Sequence, residues 1–197
     1  VAADSTKLGA FVFKHRGTLL AAPAVLLALG GKPTGASVAA GLPLALLGEL
    51  LRCYAVGFSG TTTRGDVVTA PELVTAGPYA HVRNPLYVGN VVTAAGFALA
   101  FTGRLRPAQR LLAVGGSLGV MLGVYAVIVP HEESFLRATF GEAFEAYTKR
   151  VPRVVPQWRA AQPQTGTFDA DVIRTAESKT FVTFGLMLAA LAVKALL

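Results

Sequence analysis

The chain is expected to be an all-α, polytopic membrane protein with about five transmembrane helices and an amphipathic helix on the cytoplasmic interface. Three observations carry that expectation. Of 197 residues, 53% are hydrophobic and only 15% charged, with a mean hydropathy of +0.53, too apolar for an ordinary soluble domain. Three long stretches, 84–103, 111–130 and 180–193, contain no Asp, Glu, Lys or Arg, and a membrane span needs roughly 20 such residues. Polar words punctuate these stretches at their ends, where the membrane surface would lie.

The first element is a shorter apolar run, 17–31, preceded by Lys7, Lys14 and Arg16. No small-x-small cleavage site follows it, so it reads as a retained helix rather than a secretory signal. A turn at Gly30-Gly-Lys-Pro33 leads into the second run, 36–60, broken only by Glu49 and Arg52. These two lie one turn apart and can neutralise each other, or line the polar wall of a cavity. Residues 1–60 therefore form an N-terminal transmembrane hairpin.

Residues 61–83 form a β-branched, turn-rich loop with Thr61-Thr-Thr63, Pro71 and Gly77-Pro78. The third run begins at Asn84-Pro85, and Pro suits a helix's first turn. Gly103 and Pro107 break the short connection to the fourth run, 111–130. There Gly115, Gly119 and Gly123 recur every four residues, a small-residue face suited to close helix packing. Beyond Pro130, residues 131–150 carry Phe135, Leu136, Phe140, Phe144 and Tyr147 at helical spacing among charges, which predicts the amphipathic interfacial helix. Val151-Pro152 ends it, with Pro156 and Trp158 as an interfacial anchor. Residues 161–197 read as a linker and a C-terminal transmembrane helix, with Lys194 snorkelling at its end.

The net charge of +7 fits cytoplasmic loops facing anionic lipid, and no aromatic-basic alternation supports nucleic-acid binding. If the N-terminus is cytoplasmic, the N-terminal tail, the loop 61–83 and the segment 131–179 lie inside and hold most of the Lys and Arg, although Arg104, Arg106 and Arg110 fall outside. Cys53 is the single cysteine, so neither an internal disulfide nor a multi-thiolate metal site can form, and no metal is expected. No GxGxxG follows a strand, which argues against a soluble dinucleotide fold.

Gly77-Pro-Tyr-Ala-His-Val-Arg-Asn-Pro-Leu-Tyr-Val-Gly-Asn90 and His131-Glu-Glu133 stand at the two ends of one helical hairpin. Each feature has a plain structural reading: Arg83 and Glu133 as an interfacial salt bridge, Tyr79 and Tyr87 as part of an aromatic belt. Jointly they suggest two halves of a site, because polar groups gathered at one membrane depth are costly without a role.

The segments 69–90 and 132–156 resemble the membrane-embedded isoprenylcysteine carboxyl methyltransferase and phospholipid methyltransferase family. The matching words are Leu73-Val-Thr-Ala-Gly-Pro-Tyr79, Arg83-Asn-Pro-Leu-Tyr-Val-Gly89, Glu132-Glu133 and Phe140-Gly-Glu-Ala-Phe-Glu-Ala-Tyr-Thr-Lys-Arg-Val-Pro152. The resemblance implies a cofactor-binding catalytic core over 61–160 and S-adenosylmethionine contacts at Pro71, Glu72, Leu73, Val74, Tyr79, Asn84, Pro85, Leu86, Tyr87 and Glu132. It implies methyl transfer to a lipophilic small-molecule or lipid acceptor at the cytoplasmic face, with membrane lipids around it. Two departures bear on the acceptor. Many members carry His at the position of Asn84, and the prenylcysteine enzymes carry Arg, thought to hold the substrate carboxylate, at the position of Ile128. No catalytic residue is assigned; His131, Glu49 and Arg52 are candidates, and His81 or His131 could serve as a base for a thiol or hydroxyl acceptor. An NADPH-dependent sterol-type reductase and a non-enzymatic membrane scaffold are the alternative readings.

Overall fold

The computed structural model describes residues 2–60 and 68–197, so the Thr61–Thr63 run lies outside the described residues. The described residues form seven α-helices and no strand: α1 (Ala2–Gly30), α2 (Gly35–Ser59), α3 (Pro85–Phe101), α4 (Pro107–Phe140), α5 (Glu142–Arg150), α6 (Ala170–Ala176) and α7 (Ser178–Leu196). A 3-10 turn covers Gly77–Ala80. Four helices are long and apolar enough to cross a membrane: α1 from Lys7, α2, α4 and α7. With 17 residues, α3 sits at the lower end of the roughly 17–25 a span requires. The protein is thus an integral, all-α membrane protein.

One boundary differs from the sequence expectation. Pro130 does not end the fourth helix, because α4 continues to Phe140 and reaches about 51 Å at 1.5 Å per residue. Proline removes one backbone donor, and within a long helix its neighbours can hold the path. Here the Ser134 hydroxyl donates to the Pro130 carbonyl at 2.8 Å. The break comes instead at Gly141, whose φ of 51° lies in the left-handed region that favours glycine. The amphipathic helix is therefore α5 alone, nine residues rather than twenty.

The chain divides into two compact units whose boundaries fall inside several helices. The first comprises residues 1–14, 51–88 and 125–178; the second comprises 15–50, 89–124 and 179–197.

The second unit is a helical layer built on Phe97, Phe101, Leu27, Ala45, Met187 and Leu191. Phe97 meets Phe184 edge-on at 5.0 Å between centroids. The expected turn after α1 is present at residues 31–34. It is pinned by Lys32 N donating to Phe101 O at 2.6 Å and Arg104 N donating to Lys32 O at 2.8 Å. Thr34 and Ser37 cap α2 reciprocally, each backbone N–H donating to the other's hydroxyl, at 2.9 and 3.1 Å. Lys194 donates to the Leu29 carbonyl at 2.7 Å, satisfying an acceptor in the last turn of α1.

The close helix approach also lies elsewhere than expected. No atom stands within 4 Å of where a Cβ would sit at Gly115, Gly119 or Gly123. The tight seam runs between α2 and α3, where a Cβ on Gly41 would lie 2.4 Å from Gly96 O. One on Gly48 would lie 2.4 Å from Thr93 N, and one on Gly96 2.3 Å from Ala45 N. Two backbones touch there because neither side has a side chain to hold them apart.

The first unit gathers the ends of α1 and α2, the 3-10 turn, the start of α3, the end of α4, α5 and α6. Its core is Phe144, Tyr147 and Val151, joined by Leu73, Leu136 and Phe140. A second aromatic group unites Tyr54, Phe58 and Phe168, with centroids 5.3–5.8 Å apart. Residues 151–169, which the sequence presents in part as a linker, are tied down instead. Gln157 N and Ala161 N donate to His81 O and Ala80 O, both at 2.9 Å, and Thr75 N donates to Thr165 O at 2.9 Å.

Candidate active site

The site begins with the geometry of one helix end. Successive residues on an α-helix project about 100° apart, so His131, Glu132 and Glu133 face three different neighbours. Glu132 Oε1 accepts from the Tyr87 hydroxyl at 2.7 Å. Glu133 Oε1 accepts from Arg83 Nε at 2.9 Å, and its Oε2 accepts from Arg153 Nη2 at 2.5 Å. His131 packs against Phe13 of α1, with ring centroids 6.3 Å apart, and fills the space beside Gly9.

Arg83 does more than pair. Its Nη1 donates to the carbonyls of Val151 at 2.7 Å and Thr148 at 3.2 Å, and its backbone N–H donates to Pro152 O at 2.9 Å. One side chain thus closes the C-terminal end of α5 and anchors the segment behind it. Its partner Glu133 has only 4% of its side chain exposed, so the pair is a buried charge cluster with Arg153, half exposed, on the outer side. Sequence reasoning named the Arg83–Glu133 bridge and missed Arg153. A basic residue just after the Val-Pro stop of α5 was the available signal.

Asn84 accepts the first intrahelical bond of α3 from Val88 N at 3.2 Å, and Pro85 follows in the first helical position. The Asn84 amide Nδ2 donates to Arg153 O at 3.0 Å. Tyr87 stacks at a tilt on Tyr125, 4.4 Å between centroids.

Gly77 starts the turn that carries Tyr79. Its φ of 59°, with Phe58 only 2.3 Å from where a Cβ would sit, leaves room for no side chain. The Tyr147 hydroxyl donates to the Tyr79 carbonyl at 2.7 Å, fixing the turn against α5. Burial holds the Tyr79 phenol well above its ordinary pKa; the Ser59 hydroxyl and Arg52 oppose this, and the Glu132 carboxylate adds to it. Burial likewise raises Tyr147, with Tyr79 and Glu133 pushing the same way and Arg83 against. Both phenols therefore stay protonated across the physiological range.

The expected cofactor residues divide by placement. Tyr79, Asn84, Pro85, Leu86, Tyr87 and Glu132 lie in the first unit around the turn, the start of α3 and the end of α4. Pro71 and Glu72 are exposed, while the Leu73 side chain joins the Phe144 core and Val74 packs beside Gly166. Arg52 meets Glu177 from the far end of the chain, a partner that sequence reasoning missed. Three hydrogen bonds of 2.6–2.9 Å join them, and the Glu177 side chain is fully buried. Glu49 itself is buried in the second unit. Among the described residues no cluster of His, Cys, Asp and Glu could hold a metal ion.

A cavity of about 430 Å³ opens beside the turn, walled by Leu51, Tyr54, Val82, Pro156 and Ala160, with His81 and Gln164 as its polar members.

The sequence profile of the phospholipid methyltransferase family matches residues 36–143, more than half of the chain and all but the first residue of the α2 to α4 framework. The chain belongs to that family. Among curated proteins, protein-S-isoprenylcysteine O-methyltransferase B of Arabidopsis thaliana is 29% identical over 120 residues, covering 59% of this chain and 57% of that protein. Probable protein-S-isoprenylcysteine O-methyltransferases of Oryza sativa subsp. indica and subsp. japonica are 28% identical over 120 residues, 59% of each chain. The chain thus spans less than two thirds of the length of these relatives. No solved structure matches. Family membership bears out the resemblance drawn from the Tyr79, Arg83–Tyr87 and Glu132-Glu133 words.

Proposed function

We propose that this family member is an S-adenosylmethionine-dependent methyltransferase acting on a lipophilic or lipid acceptor. The Tyr87–Glu132 hydrogen bond carries the reading, because it unites the two separated polar words of the family in one first-unit site. The donor set suits the cofactor. Glu132 offers a carboxylate to a ribose diol or an ammonium group. Asn84 keeps its Oδ1 as an acceptor while Nδ2 is engaged, and the tyrosine faces suit a flat base or a sulfonium cation. Leu73 would contribute through its backbone, since its side chain is spent on the core. When bound, the cofactor supplies a methyl group already activated for displacement, so the residues' task is alignment and exclusion of water.

The relatives' names specify an isoprenylcysteine acceptor. Ile128, fully buried and apolar, stands where those enzymes would need an arginine for a carboxylate, which favours a different acceptor head group here. The excess of Lys and Arg in loops 61–83 and 131–179 supports a cytoplasmic N-terminus and site.

The test is titration calorimetry of the purified chain with S-adenosylmethionine and NADPH, followed by incubation with labelled S-adenosylmethionine and a membrane lipid extract. Binding of the methyl donor and label in the lipid fraction, both lost in Glu132→Ala while a cooperative melting transition is retained, support the proposal. Binding of NADPH alone would overturn it in favour of a reductase.

A further inference from the structure

The cavity beside the 3-10 turn lies outside the Tyr87–Glu132 pair, and its chemistry is selective. Its wall is aliphatic and aromatic, and its volume of about 430 Å³ falls within the roughly 300–1,000 Å³ of small-molecule sites. Among the described residues no Lys or Arg lines it, so that wall offers no cation to a carboxylate or phosphate. His81 Nδ1 lies 2.9 Å from Gln157 O. A carbonyl oxygen only accepts, so Nδ1 carries the proton, and in the neutral ring Nε2 keeps its lone pair. Gln164 Oε1 accepts from Gly77 N at 3.3 Å, which leaves the amide NH₂ as that side chain's donor.

The cavity is also preorganised. Its outer wall, residues 156–164, is bonded to the turn at His81 O, Ala80 O and Thr75, the last through Thr165 N to Oγ1 at 2.8 Å. Binding need not order a loose loop, which removes a usual cost of association.

We propose that this cavity binds an amphiphile with an aliphatic body and a neutral or cationic hydrogen-bond-donating head, an alcohol, thiol or amine, whose proton is accepted by His81 Nε2. Such a molecule can come from the bilayer or be the methyl acceptor; in the latter case the inference rests on the methyltransferase reading.

The test uses the full chain in nanodiscs with three probes: decan-1-ol, decyl methyl ether and decanoate. Decan-1-ol is expected to raise the melting temperature by about 2–4 °C, while the ether, lacking a donor, and the anionic decanoate do not. Ala160→Trp, which fills the cavity from its outer wall and leaves the His81–Gln157 bond intact, should abolish the shift. His81→Phe should remove the preference for alcohol over ether. Equal shifts for alcohol and ether in the wild type, or an unchanged alcohol shift in Ala160→Trp, overturn the inference. Adding labelled S-adenosylmethionine separates the sources: label on decan-1-ol or decane-1-thiol marks an acceptor site, and an unlabelled alcohol displacing co-purified lipid marks a lipid site. Methyl-donor binding by calorimetry in Ala160→Trp should match wild type, so loss of alcohol binding and loss of cofactor binding are read separately.

Discussion

The Tyr87 hydroxyl donates to Glu132 Oε1 across 2.7 Å, joining the first turn of α3 to a residue 45 positions later in α4. A hydrogen bond to an ionised carboxylate contributes about 1.5–3 kcal/mol. It also fixes the orientation of the carboxylate.

Glu132→Gln should weaken S-adenosylmethionine binding by about 10–100-fold, the cost of one lost charge-assisted contact. Tyr87→Phe, which keeps the ring on Tyr125 and removes the hydroxyl, should weaken it less. Calorimetry on both variants checks the order. Equal affinities in wild type and Glu132→Gln would remove Glu132 from the binding site.

Glu133 behaves differently from its neighbour, because it is buried between two guanidinium groups. Glu133→Gln should destabilise the protein by about 3–5 kcal/mol, since it leaves Arg83 as an uncompensated buried charge. Arg153→Ala should cost about 1 kcal/mol or less, because Arg153 is half exposed and solvent screens it. Thermal unfolding in detergent distinguishes the two.

The glycine seam and the glycine stripe should part company on mutation. Gly96→Ala places a methyl carbon against the Ala45 backbone, which cannot yield, and should cost about 1–3 kcal/mol or more. Gly115→Ala meets nothing within 4 Å and should be neutral or stabilising by up to about 1 kcal/mol. Paired melting curves decide it.

Tyr79 and Tyr147 give a pH dependence at the alkaline end. Both are raised above the unfolded value of about 10 by burial first, so the folded state holds their protons more tightly than the unfolded chain. That contribution is fully present below about pH 10 and is lost as pH rises beyond it. Absorbance titration should show the Tyr79 and Tyr147 phenols ionising only as the fold is lost, and Tyr147→Phe should remove one of these two late ionisations.

Much of this was legible in the sequence, and the exceptions share a cause. Uncharged runs revealed the membrane helices, and local words revealed Gly77, Asn84-Pro85 and Glu132-Glu133, because turns, caps and helix ends are decided within a few residues. Partners far apart in the chain were not legible. The Arg52 fork closes on Glu177, 125 residues away, a partner that no local spacing announces. Pro130 looked like a stop, but α4 had the length to absorb it. The GxxxG spacing of α4 was conspicuous, whereas the true seam uses Gly41 and Gly48 against Gly96 and Thr93, a pattern spread over two helices that neither one displays alone. Residues 160–167 had a linker's composition, and only the backbone carbonyls of the turn show what holds them.

The α2–α3 seam has a bearing on traffic. With the two backbones touching at Gly41 and Gly96 and again at Gly48, the stretch of α2 and α3 between those contacts leaves no slit wide enough for a hydrocarbon chain. A molecule moving sideways out of the bilayer meets a sealed wall there. A lipophilic ligand of the kind proposed would have to enter past other helices, and variants that pry this seam apart would make a leak rather than a better entrance.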